Sequence, residues 1–125
     1  MWSDKYNYYN IQSDKFFSQK TNVEKIVSIV LQTNCFIQKT HQSFTNAETF
    51  PWTDITIVET SSGSFAATDR PFRDANLIAI VCSKAKEIDQ SVYKNVFLSI
   101  AENLNWKLFL EADDNGNETI EIMPE

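Results

Sequence analysis

Glycine is nearly absent: the chain has two in 125 residues, Gly63 and Gly116. A dinucleotide-binding fingerprint needs three glycines, and a phosphate-cradling P-loop needs two at fixed spacing before a lysine, so both are excluded. There is a single histidine, His41. That removes two-histidine acid–base pairs and zinc sites built on two or three histidines. The two cysteines, Cys35 and Cys82, form no CxxC pair. No apolar run approaches the roughly 20 residues that a membrane-spanning helix requires; the longest, Leu77 to Cys82, is far shorter. The N-terminal stretch Met1-Trp2-Ser3-Asp4-Lys5-Tyr6 has no apolar core of the signal-peptide kind. The expectation is a cytoplasmic protein, away from membranes, with both thiols reduced.

Charge is also unevenly absent. Residues 1–110 carry eleven acids and eleven bases, which cancel. Residues 111–125 carry Glu111, Asp113, Asp114, Glu118, Glu121 and Glu125 with no base, and so hold the whole net charge of −6. Such a balance argues against direct binding of nucleic acid, which needs clustered Lys and Arg.

What is present suits one ordinary core. Hydrophobic residues make up 42% of the chain and aromatics 13%, too much for wholesale disorder. A chain of this length buries about two-thirds of its surface on folding, without metal or disulfide staples. With no repeat and no Pro/Ser/Gly linker, residues 1–125 are expected to form a single domain.

Periodicity predicts two helices. Thr21-Asn22-Val23-Glu24 fits a capping box with Thr21 as cap. Val23, Ile26, Val27, Val30 and Leu31 then share one face, which places a helix at 22–33 with a stop near Asn34. A second helix spans 90–104, starting at Asp89 or Ser91. Its main stripe is Val92, Val96, Ile100 and Leu104, with Tyr93, Phe97 and Ala101 beside it.

Strand-like runs surround these helices. Tyr8–Gln12 suits an edge strand, and Cys35–Lys39 and Asp54–Thr60 are β-type. Phe65–Thr68 suits a strand pairing back on its predecessor. Asn76–Ser83 is apolar without interruption through Cys82, as in a central strand covered on both faces. Lys107–Ala112 and Glu118–Met123 flank Asn115-Gly116, the strongest hairpin signal in the chain. The order implies an α+β fold: a mostly antiparallel sheet with two helices on one face. A ferredoxin-like split βαβ with an added C-terminal hairpin satisfies it.

Candidate sites are few. Alternation puts Leu108, Leu110 and Ala112 on one face of the acidic hairpin, and Ile120 and Ile122 on one face of its partner strand. Its acids can form a negative docking surface for a basic partner, or a solvated edge that prevents aggregation. A calcium loop starting at Asp113 fails, because Gly116 falls at position 4 rather than 6 and Pro124 at position 12. No cofactor or metal is expected. Arg70 and Arg73 flank Pro71-Phe72 and can clamp an anion or pair locally with Asp69 and Asp74. On one continuous strand Cys35 and His41 would lie roughly 20 Å apart, too far for a thiolate–imidazole pair. Trp2, Tyr6, Tyr8, Tyr9, Phe16 and Phe17 form an aromatic N-terminal stretch, suited to a protein-binding face, a carbohydrate platform or an extra core layer.

In size, acidity, Asn/Lys content and the hairpin Asp113-Asp114-Asn115-Gly116-Asn117-Glu118, the chain resembles bacterial toxin-immunity proteins. These accompany contact-dependent and other polymorphic secreted toxins. The resemblance implies a non-enzymatic cytosolic inhibitor that occludes a cognate toxin domain, often a nuclease, and it carries over no residue roles. The charge pattern alone nominates Glu111, Asp113, Asp114, Glu118 and Glu121 as the partner-binding set. The alternative is a small enzyme or ligand-binding domain.

Overall fold

A computed structural model describes residues 2–61 and 73–124. The elements, in order, are β1 (Tyr6–Gln12), β2 (Thr21–Asn22), α1 (Val23–Gln32), β3 (Phe36–Thr40), β4 (Ser43–Asn46) and β5 (Thr53–Val58). There follow β6 (Asp74–Ala75), β7 (Leu77–Ser83), α2 (Gln90–Leu104), β8 (Lys107–Ala112) and β9 (Glu118–Ile122). Seven strands form one sheet in the order β3-β4-β5-β7-β1-β8-β9, while β2 pairs with β6. Every pairing among the described strands is antiparallel. The fold is α+β.

Strands β1 and β5 run parallel with β7 between them, and β7 and β8 run parallel with β1 between them. Helix α1 lies on the first of these connections and α2 on the second. Each is a split βαβ connection. The sheet exceeds the expected ferredoxin-like core plus C-terminal hairpin. The expected C-terminal hairpin is present as β8–β9, and a second hairpin, β3–β4, extends the opposite edge. The expected strand Phe65–Thr68 falls outside the described residues.

One core explains the register. Tyr9 and Ile11 of β1, Ile55 and Ile57 of β5, and Ile78, Ile80 and Cys82 of β7 are all buried. They join Val23, Ile26 and Val30 of α1 and Tyr93, Phe97 and Ile100 of α2 in one cluster, so both helices lie on one sheet face. Aromatic rings run through it: Phe36–Phe50, Phe50–Tyr93 and Tyr93–Phe97 are 5.2, 5.7 and 5.8 Å apart. Burial pushes the Cys82 thiol up to about 12, and raises the Tyr9 hydroxyl well above its ordinary value.

Several sequence-based expectations need correction. Asn22, not Thr21, caps α1, accepting from the Glu24 N–H at 2.8 Å; Thr21 is held in β2 opposite Ala75. Helix α2 starts on the Asp89 cap as expected. Its buried face is rotated toward Tyr93 and Phe97, leaving Val92 exposed. The larger rings bury more apolar surface and take the centre. Strand β1 lies inside the sheet between β7 and β8 rather than at an edge; its Asn10 alternates to the face away from the helices, while Asn7, on the helix side, donates to the Gln90 side chain of α2 at 3.3 Å. Strand β7 is central; its helix-facing side is fully covered, and on the other side Leu77 is buried while Ala79 and Val81 are half-buried.

Candidate functional site

The acidic residues sit on β8, β9 and their turn. Leu108 faces Ile122, Leu110 faces Ile120 and Ala112 faces Glu118. Leu110 and Ile122 pack against the core, which ties the hairpin to the body of the protein. The turn spans five residues, 113–117, rather than the two of an Asn-Gly turn. Asp113 closes it. Its Oδ1 accepts from the backbone N–H groups of Asn115 and Asn117, each at 2.9 Å, and its Oδ2 accepts from the Asn117 side chain at 2.9 Å. The Asp113 N–H donates to the Asn117 carbonyl at 3.0 Å. Gly116 supplies the left-handed conformation, with φ of 85°. The Asn117 side chain, then its backbone N–H, holds the Asp113 carboxyl below the usual range. Asp113 is therefore an ionised structural residue as well as a surface charge.

Asp114 makes the long-range contact that the sequence does not announce. Its Oδ1 accepts from Lys84 Nζ at 2.7 Å and from Trp2 Nε1 at 3.0 Å. Those bonds, Lys84 first, hold its carboxyl below the ordinary value. Lys84 also donates to the Ser3 carbonyl at 2.8 Å, and its ammonium lies 5.0 Å from the centre of the Trp2 ring. The N-terminal segment is thus fastened to the hairpin turn by Lys84 and by the Trp2 indole. Around Trp2, Asp113, Asp114, Gly116 and Glu118 lies an open recess of about 230 Å³.

The five nominated acids are not equivalent. Asp113, Asp114 and Glu118 surround that recess. Glu121 faces Phe109 on the helix-free side of the sheet and lies 3.5 Å from Lys107. Strand alternation puts Glu111, half-buried, on that same side.

The aromatic N-terminal stretch divides. Tyr9 belongs to the core, 1% exposed, while Trp2 and Tyr6 are 56% and 39% exposed. Phe16 lies past the far end of β1 and is also exposed. Tyr6 pairs with Ser83, which precedes Lys84, so Tyr6 lies at the same end of the sheet as the acidic turn. Trp52 joins it there, because Thr53 pairs with Cys82. The Trp52 and Tyr6 rings are 5.4 Å apart, and Trp52 is 46% exposed. Sequence reasoning missed Trp52 and Lys84. The signal available for Trp52 was a tryptophan just after a proline at a strand start.

The remaining candidates do not assemble. Cys35 precedes β3 and His41 follows it, at opposite ends of that strand. Cys35 donates to the Thr33 carbonyl at 3.3 Å, and His41 is exposed. Arg73 is exposed, and its carbonyl accepts from the Val23 N–H; Asp69 and Arg70 fall outside the described residues. Among the described residues, no three His, Cys, Asp or Glu side chains cluster as metal ligands, and no helix is long and apolar enough to cross a membrane. No protein-family model matches the chain, and no curated protein matches it.

Proposed function

We propose that this chain is a non-catalytic binding protein of the cytosol, and that it captures a basic toxin domain as an immunity protein does. The observation that supports this most is the convergence of Asp113, Asp114 and Glu118 around an exposed tryptophan, Trp2, at one end of the sheet. Of these three carboxylates Asp114 is paired with Lys84, and Asp113 is held by uncharged turn amides, so negative charge remains for a partner. The turn that carries it is closed by Asp113, so the charges are fixed before binding, which lowers the ordering cost of association. A toxin that acts on phosphates presents a basic cleft, and an acidic surface of this kind accelerates encounter with it.

The test is to look for a toxin domain encoded beside the gene for this chain and to co-express the two. Protection of the cells is expected. Replacing Glu111, Asp113, Asp114, Glu118 and Glu121 with their amides should slow association at low salt about tenfold or more. High salt should narrow the gap. Absence of protection, or an unchanged association rate in the amide variant, overturns the proposal.

A further inference from the structure

Charge explains encounter but not how a complex stays together. At the same end of the sheet two large rings are exposed, and the backbone beneath them is tied by hydrogen bonds. Phe50 is buried against Phe36 and Tyr93. The Tyr93 hydroxyl donates to the Trp52 carbonyl at 2.7 Å, and the Thr53 hydroxyl donates to the Pro51 carbonyl at 2.9 Å. Trp52 is therefore held by the core on both sides while nearly half its surface faces water. Tyr6 is fixed by its pairing with Ser83 and by a 3.2 Å bond from its N–H to the Ser3 hydroxyl. An exposed Trp–Tyr pair held in this way offers contact area with little entropy left to lose, as interface anchors do.

The chemistry of the occupant follows from the neighbours. The Trp2 ring already carries a cation, Lys84, in the free protein. Among the described residues, no cation sits over Trp52 or Tyr6. Their faces lie at the end of the sheet that also carries the acidic turn, where a positive side chain is attracted on both counts. Guanidinium is favoured over ammonium here, because its flat, weakly hydrated group stacks on indole.

We infer that Trp52 and Tyr6 are the anchor for an arginine side chain of the basic partner, with the acidic hairpin steering that arginine in. This rests on the binding function proposed above and adds a second, separable element to it.

Two measurements test it. In the first, the protein is titrated with a tri-arginine peptide while the Trp52 indole N–H resonance is followed. A saturable shift, larger than with tri-lysine and absent with sodium chloride of equal ionic strength, is expected. An equal response to both peptides, or none, overturns the inference. In the second, association and dissociation are measured with the co-encoded toxin domain. Trp52→Ala and Tyr6→Ala should speed dissociation about tenfold or more and leave association within about twofold, and Trp52→Phe should restore part of the loss. Melting curves of each variant establish that it is folded, and Tyr6→Ala answers the same question if Trp52→Ala is not. If the hairpin amides slow association while both alanine variants dissociate like the parent, the anchor is wrong and the binding function stands. If the hairpin amides change nothing, the binding function itself falls.

Discussion

The two edges of the sheet are both hairpins, and they are built differently. At one edge, β3–β4 turns tightly and hangs on buried rings: Phe44 is fully buried and Phe36 is 5% exposed. At the other, β8–β9 is joined by a five-residue turn whose geometry comes from one carboxylate. The first edge is stabilised by packing, and the second by polar contacts at its tip with apolar anchoring at its base. The difference separates the packing of the core from the charge of the surface. Charge placed on the β8–β9 turn can be altered without emptying the core, which leaves that edge open to a binding role.

The comparison breaks most readily at Phe44. Phe44→Ala should cost about 3–5 kcal/mol, measured by denaturant unfolding, since it empties a fully buried site. A smaller loss would mean that the β3–β4 edge is not held by packing. Asp113→Ala comes next. It should lower the melting temperature, by clearly less than Phe44→Ala, and loosen amide exchange at Asn115 and Asn117, whose N–H groups it deprives of their acceptor.

Acid should distinguish the two edges as well. Asp113 and Asp114 ionise below their ordinary value in the folded protein. The unfolded chain therefore takes up protons first as pH falls. The stability these groups contribute is complete above the ordinary carboxylate pKa and is lost as pH drops through their lower folded values. Asp113→Asn and Asp114→Asn should each flatten the fall in melting temperature below about pH 4. Phe44→Leu should leave the slope unchanged.

The smallest effects belong to the surface ion pairs. Lys39 lies 2.5 Å from Asp54 near one edge, and Lys107 lies 3.5 Å from Glu121 near the other. The four side chains are a third to a half exposed, so Lys39→Gln and Lys107→Gln should each change stability by about 0.5 kcal/mol or less. A larger loss at either would show that its edge depends on charge pairing.

The same contrast accounts for what the sequence disclosed. Strand β8 is found where alternation and Asn115-Gly116 put it, at Lys107–Ala112. Strand β4 went unseen, because His41-Gln42-Ser43-Phe44-Thr45-Asn46 contains one apolar residue and no period can be read from one. Helix α2 was legible in its limits, while its buried face was not, because ring size rather than spacing selects what is buried. The interior position of β1 depends on pairing with β7 and β8, which lie far along the chain. For the candidate site, the charge count singled out the hairpin. The meeting of Trp2 with Asp114, 112 residues away, is a product of sheet order alone. So is the stacking of Tyr6 with Trp52.

The two cysteines turn this architecture into a pair of natural clocks. Only the thiolate attacks a thiol reagent, and Cys82 is fully enclosed, its thiol pushed up to about 12 by burial. It can be labelled only when the middle of the sheet opens, so its labelling rate counts those openings. Cys35 is half-buried just before the β3 edge. Timing both in one experiment, with and without a bound partner, reads the rigidity of the centre and of the rim separately, with no engineered label.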